Sequence, residues 1–125
     1  MTIGKDATVT TVVTDKNTAK AVGSGSLDVF ATPMMIALME QAACKCLADG
    51  LESGQTSVGT QINVAHTAAS PIGTKICAAA TITAIDGRKV SFAVAANDGE
   101  NEIGSGTHER FVIDAERFMS KLERR

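Results

Sequence analysis

The sequence predicts an α+β fold, a curved antiparallel sheet wrapped around a central apolar helix, with a short helix closing the chain. Three observations predict it. The segment from Pro33 to Cys44 carries a single charged side chain, Glu40, and apolar residues on every face, so a helix here has to be covered all round. Three long runs rich in Val, Ile, Ala and Thr follow it, separated by Asp86-Gly87 and Asp98-Gly99, pairs that favour tight hairpins. A flat sheet would leave one side of such a helix wet, so the sheet has to curl around it.

The elements follow in order. Asp6 to Val13 reads as a Thr/Val-rich strand, Asp15 to Asn17 as a turn, and Thr18 to Val22 as a second short extended piece. Gly23-Ser24-Gly25-Ser26 gives the backbone little reason to hold one conformation, which predicts a mobile loop. Thr32-Pro33 is a helix start, with Thr32 placed to cap the first turn and proline at the first helical position, and the helix runs to about Ala48 before Asp49-Gly50. Ser57 to His66 alternates as a strand, with Val58, Ile62, Val64 and His66 expected on one face. Thr74 to Ile85, Arg88 to Asn97 and Asn101 to Ile113 form the predicted meander, and Ala115 to Arg125 an amphipathic helix with Phe118 and Leu122 on one side. No repeat or second domain is visible, so residues 1–125 are expected to form one domain.

Composition removes several classes of function. A net charge of −2 lacks the basic footprint that nucleic acid requires. The longest apolar stretch, Val29 to Met39, is broken by Thr32 and falls far short of the roughly 20 residues of a bilayer span. The start, Met1 to Asp6, lacks the layout of a secretory signal, and three cysteines, an odd number, agree with a reducing compartment, so the cytoplasm is expected. Cys44 and Cys46 fall on roughly opposite faces of the helix, and neither a Cys-x-x-Cys nor a His-x-x-x-His is present, so no metal is expected. Cys44, read as a buried thiol without a basic neighbour, is expected to be inert. Gly104-Ser105-Gly106 has no following helix, which weakens a phosphate-cradling reading.

Three side chains lead the candidates for chemistry. A carboxylate inside a buried helix costs several kcal/mol unless it is paired or reaches a cleft, so Glu40 is either a satisfied structural group at an interface or a reacting carboxylate. His66, on an apolar strand face but at a strand end, is either a core residue or a proton carrier. Thr32 is a helix cap whose hydroxyl can also donate into a site. His108 and Arg110 share a strand face, as a surface ion-pair cluster or as contacts for an anion or thioester.

Ala31-Thr32-Pro33, Leu38-Met39-Glu40, Val58-Gly59-Thr60, His66-Thr67-Ala68-Ala69 and Gly106-Thr107-His108-Glu109-Arg110, taken together, resemble the hotdog-fold acyl-CoA thioesterases related to fluoroacetyl-CoA thioesterase. The resemblance implies a catalytic centre of Thr32, Glu40 and His66, with Gly59 and Arg110 contributing to substrate binding. It implies an acyl-CoA substrate, no cofactor, and a homodimer or dimer of dimers with sites at the subunit interface. The Gly/Ser loop offers only Leu27 and Phe30 as apolar material for a lid, so preference is not expected to centre on fluoroacetyl-CoA. A non-catalytic acyl-CoA-binding or sensor domain would use the same scaffold. A hydratase on it would pair its acid and histidine in one short loop, unlike Glu40 and His66.

Overall fold

The computed structural model describes residues 1–125. Its elements are β1 (Asp6–Val12), α1 (Ala19–Val22), α2 (Thr32–Leu47), a short 3-10 turn (Ala48–Gly50), β2 (Gln55–His66), β3 (Lys75–Asp86), β4 (Lys89–Asn97), β5 (Glu102–Asp114) and α3 (Ala115–Glu123). The five strands form one antiparallel sheet in the order β1-β3-β4-β5-β2. The helix α2 packs against β1, β2, β3 and β4, reaching both edges of the sheet, as only a curved sheet allows.

The core is built from two matching stripes. On α2, Met35, Leu38, Met39, Ala42, Ala43, Cys46 and Leu47 are buried, the 3- and 4-residue spacing of one helix face. They meet Ile76, Ala78, Ala80 and Ile82 of β3 and Val90, Phe92, Val94 and Ala96 of β4, every second residue of each strand. Alanines at 78, 80 and 96 leave room for the flexible methionines, which fill the space that aromatics occupy in other cores.

The opposite side of α2 differs from the sequence expectation. Pro33, Gln41 and Cys44 are exposed, and Ile36, Ala37 and Glu40 are only partly covered. The helix is therefore buried on one face and open on a stripe in the single chain. Cys44, expected to be buried, lies on that open stripe.

Two further expectations change. Thr18 to Val22 is not extended: Thr18 Oγ1 accepts from the Ala21 amide at 3.2 Å and caps the one-turn helix α1, which Gly23 ends in a left-handed conformation (φ 80°). In β2 the alternation does not run through. Gly59 pairs with Arg110 and Gln61 with Glu109, leaving Thr60 as the extra residue of a bulge. Directly paired residues share a face, so Val58, opposite the exposed Phe111, points outward. Ile62, opposite the buried His108, lies on the inner face but at the sheet edge, where it stays 36% exposed, and Val64 on the same face packs on the core.

No helix is long and apolar enough to cross a membrane.

Candidate active site

Two polar clusters lie along α2. The first is made where the chain enters α2 and where it leaves β2. The Phe30 amide donates to Ser70 O at 2.9 Å, the Ala31 amide to Asn17 O at 3.0 Å, and isolated bridges join Thr18 to Phe30 and Val29 to Pro71. These bonds clamp the start of the helix to the segment after β2 and bring Thr32 Oγ1 to 2.8 Å from His66 Nδ1. The hydroxyl is thereby engaged by the histidine, and the first turn of α2 has no side-chain cap, contrary to the expected role of Thr32.

The His66 ring is held on one side only, at Nδ1. Its Nε2 is buried without a hydrogen-bond partner. Burial pulls its pKa below the ordinary 6.5, opposed in part by the Ala68 backbone, so the ring is neutral at pH 7. With Nε2 protonated, Nδ1 accepts from the Thr32 hydroxyl; with Nδ1 protonated, it donates to that hydroxyl and leaves Nε2 free to accept. A cleft of about 230 Å³ opens beside the pair, lined by Val29, Phe30, Thr32, His66 and Ala68 among others.

The second cluster lies further along the helix. Arg110 Nη1 donates to Glu40 Oε2 at 2.8 Å, while its Nε donates to Ser57 Oγ at 2.8 Å and its Nη2 to Ser57 O at 3.1 Å. The Arg110 side chain is 8% exposed and that of Glu40 is 40% exposed. The buried charge is thus the guanidinium, and Glu40 is a half-open carboxylate facing a cleft lined by Gly59, Thr60, Gln61, Ile62 and His108. A buried guanidinium without its counter-charge costs several kcal/mol, so Glu40 compensates Arg110 as well as facing the cleft. His108 and Arg110 do not form a surface cluster, being 2% and 6% exposed. The surface ion pair on this strand belongs to Glu109, which points the other way toward Lys89 at 3.7 Å.

Gly59 is fitted to this cluster. A Cβ there would come to 2.5 Å from Glu40 Oε2 and 3.2 Å from Arg110 Nη1, so the carboxylate occupies the space that a side chain would fill. The first group that a side chain would strike is Glu40.

Thr32 is therefore brought together with His66, and Glu40 with Gly59 and Arg110. The two sets are not joined: Thr32 and Glu40 are eight residues apart on one helix, about 12 Å of axial rise, and no hydrogen bond links the clusters. Sequence reasoning missed Ser57, which holds two sides of the guanidinium, and undervalued His108. The signal for Ser57 is its spacing of two from Gly59. Elsewhere, Cys46 is a core thiol whose Sγ donates to Ala80 O at 3.3 Å, with its pKa raised mainly by burial. No group of three or more His, Cys, Asp or Glu is arranged to hold a metal.

Comparison with known proteins agrees with this architecture. Residues 13–116 match the model of a family described as fluoroacetyl-CoA-specific thioesterase. The chain is 47% identical over 98 residues to the fluoroacetyl-CoA thioesterase of Streptantibioticus cattleyicolor, covering 78% of this chain and 70% of that protein. A solved structure of a fluoroacetyl-CoA thioesterase superposes with a TM-score of 0.93 at 40% identity, covering 100% of this chain and 97% of that one. A Thermus thermophilus protein, described as a thioesterase superfamily member, superposes with a TM-score of 0.90 at 27% identity over 98% of this chain and 91% of its own.

Proposed function

Because the chain belongs to the fluoroacetyl-CoA-specific thioesterase family, and with it to the hotdog-fold thioester hydrolases, we propose that it hydrolyses a small acyl-CoA with Glu40, Thr32 and His66 as the catalytic groups. The observation that carries the reading is the placement of two complementary half-sites on α2: a hydroxyl–imidazole pair, and a carboxylate held by a buried arginine. Glu40 either takes a proton from water as the hydroxide adds to the carbonyl carbon, or attacks that carbon itself to give a mixed anhydride that water then opens. In both routes the C–S bond breaks, and the proton released by the attacking water is passed by the neutral His66–Thr32 pair to the leaving thiolate. The Gly59 amide is assigned to the developing oxyanion, a contact commonly worth about 2.7 to 4 kcal/mol. The 47% identical relative puts fluoroacetyl-CoA among the first substrates to assay. The three cysteines are unpaired, which suits a reducing compartment.

The half-sites meet in a homodimer. β2 is an edge strand, twelve residues long, with no partner on its outer side. Edges of this length are pairing templates. Two copies paired antiparallel through β2 about a twofold axis place the His66 half of one strand beside the Gly59 half of the other. Each site then takes Thr32 and His66 from one protomer and Glu40 from its partner, and the open stripe of α2 is covered at the same time. Subunit exchange tests this. Glu40→Gln and His66→Ala should each be inactive alone, and mixing them under exchange should restore about a quarter of wild-type thiol release, because half the dimers are mixed and one of their two sites is intact. A folded mixture that remains inactive while exchange is verified overturns the shared site.

A further inference from the structure

Resting on the reading of Glu40 as the reacting carboxylate, we propose that His108 is the positioning residue that aims the Arg110 guanidinium, and through it the Glu40 carboxylate, at the thioester. His108 is nearly inaccessible, 2% exposed, and stacked on Phe92 with ring centroids 5.9 Å apart and planes inclined by 28°. Its Nδ1 lies 2.7 Å from the Gln61 carbonyl oxygen. A carbonyl only accepts, so Nδ1 carries the hydrogen and donates it. On the other side, Nε2 lies 3.2 Å from Arg110 Nη1, a group that only donates, so Nε2 accepts. The two neighbours therefore select one neutral tautomer, with hydrogen on Nδ1 and a lone pair on Nε2.

That lone pair completes the fixing of Arg110. Ser57 holds Nε and Nη2, and the two hydrogens of Nη1 go to His108 Nε2 and Glu40 Oε2. The guanidinium plane is thus set before substrate arrives. His108 Nε2 is 3.8 Å from Glu40 Oε2, beyond hydrogen-bond range, so its effect on the carboxylate passes through Arg110. Gln61 is the residue after the Thr60 bulge, so the same ring ties the bulge beside Gly59 to the arginine behind Glu40. A carboxylate misaligned by about 1 Å loses much of its catalytic advantage, which is what this clamp prevents.

Two substitutions separate the nitrogens. In His108→Asn the amide nitrogen takes the place of Nδ1 and keeps the bond to Gln61 O, but nothing accepts from Arg110. In His108→Gln the amide oxygen reaches the place of Nε2 and keeps the arginine contact. The expected result is that His108→Asn lowers kcat by about tenfold or more with KM within about threefold, and that His108→Gln restores most of it. Asparagine as active as glutamine, or a loss confined to KM, overturns the proposal. Measuring Glu40→Gln beside His108→Asn distinguishes the positioning role from the carboxylate reading beneath it. An inactive Glu40→Gln beside a fully active His108→Asn sinks only the positioning role, whereas an active Glu40→Gln sinks the carboxylate reading. Should the variants fold poorly, ¹⁵N NMR of the wild-type imidazole decides: the expected signature is a protonated Nδ1 and an unprotonated Nε2, and the reverse tautomer overturns the proposal.

Discussion

Glutamine at position 40 separates chemistry from packing, and the geometry gives a size for each effect. The Glu40→Gln change keeps the volume and leaves an amide oxygen to accept from Arg110 Nη1, which lies 2.8 Å from Glu40 Oε2, but it removes the charge and the basicity. Stripping a buried ion of its partner costs about 3 to 5 kcal/mol. Here the amide oxygen still accepts, and the carboxylate is 40% exposed and screened by water, so the loss is discounted to about 1 to 2 kcal/mol. For a domain of this length that corresponds to a fall in Tm of roughly 3 to 8 °C. The buried arginine sets the sign of the effect, because it keeps its own charge when Glu40 loses its charge. For chemistry, losing a nucleophile or positioned base lowers kcat at least about 100-fold. Thiol release, the melting temperature and a CoA-ester binding titration of the purified variant measure the three quantities. Near-normal kcat in a folded variant would refute the mechanism.

Other consequences are sharper for having the structure. His66 has a depressed pKa, so the ring stays neutral until the pH falls below 6.5, and kcat/KM against pH should show an acid limb with its midpoint below that value. The unfolded chain takes up this proton first, so stability also falls as the pH drops from 6.5 through the folded-state pKa; an acid limb above 6.5 would contradict the assignment. Gly59→Ala and Gly106→Ala should part company. At Gly59 the new methyl strikes the end of the Glu40 side chain beside Arg110, so activity collapses while the stability loss stays of the order of that for Glu40→Gln, whereas at Gly106 it strikes the backbone of Asn63 and Val64, which has no side-chain end to yield, and costs about 1 to 3 kcal/mol in urea unfolding. Fluoroacetyl-CoA should be preferred to acetyl-CoA by no more than about 100-fold, because the segment from Ser24 to Leu27 is exposed and supplies no closed apolar lid; competition kinetics showing several orders of magnitude would end that reading.

Much of the fold was legible because it rests on local chemistry. The Asp-Gly turns fix the β3–β4–β5 meander, and Thr32-Pro33 marks where α2 begins. The misread parts depend on distant partners. Thr32 carries the signature of a helix cap, and only the bonds joining Phe30 and Ala31 to Ser70 and Asn17 bring His66 close enough to claim its hydroxyl. Thr18 to Val22 is Thr- and Val-bounded and reads as extended, yet the Thr18 side chain and Gly23 close it into a turn of helix. His108-Glu109-Arg110 looks like a charged surface run, and its burial follows from pairing opposite Ile62, Gln61 and Gly59, a register that sequence alone does not state.

The bulge at Thr60 ties these observations together. In an uninterrupted strand, Ser57 and Gly59 lie on one face and Ile62, Val64 and His66 on the other. The proposed chemistry needs both sets on the inner face: Ser57 to hold Arg110, Gly59 to leave room for Glu40, and His66 to reach Thr32. One extra residue changes the parity of the strand between them and satisfies both. Thr60 Oγ1 donates to the Glu109 carbonyl oxygen at 3.2 Å, and the neighbouring Gln61 carbonyl accepts from His108, so the irregular backbone is held by side chains on either side of the sheet. Because Gly, Thr and Gln at 59 to 61 carry no hydrophobic alternation, a shift of parity there leaves no trace in the pattern, and it is the single step on which the geometry of both half-sites depends.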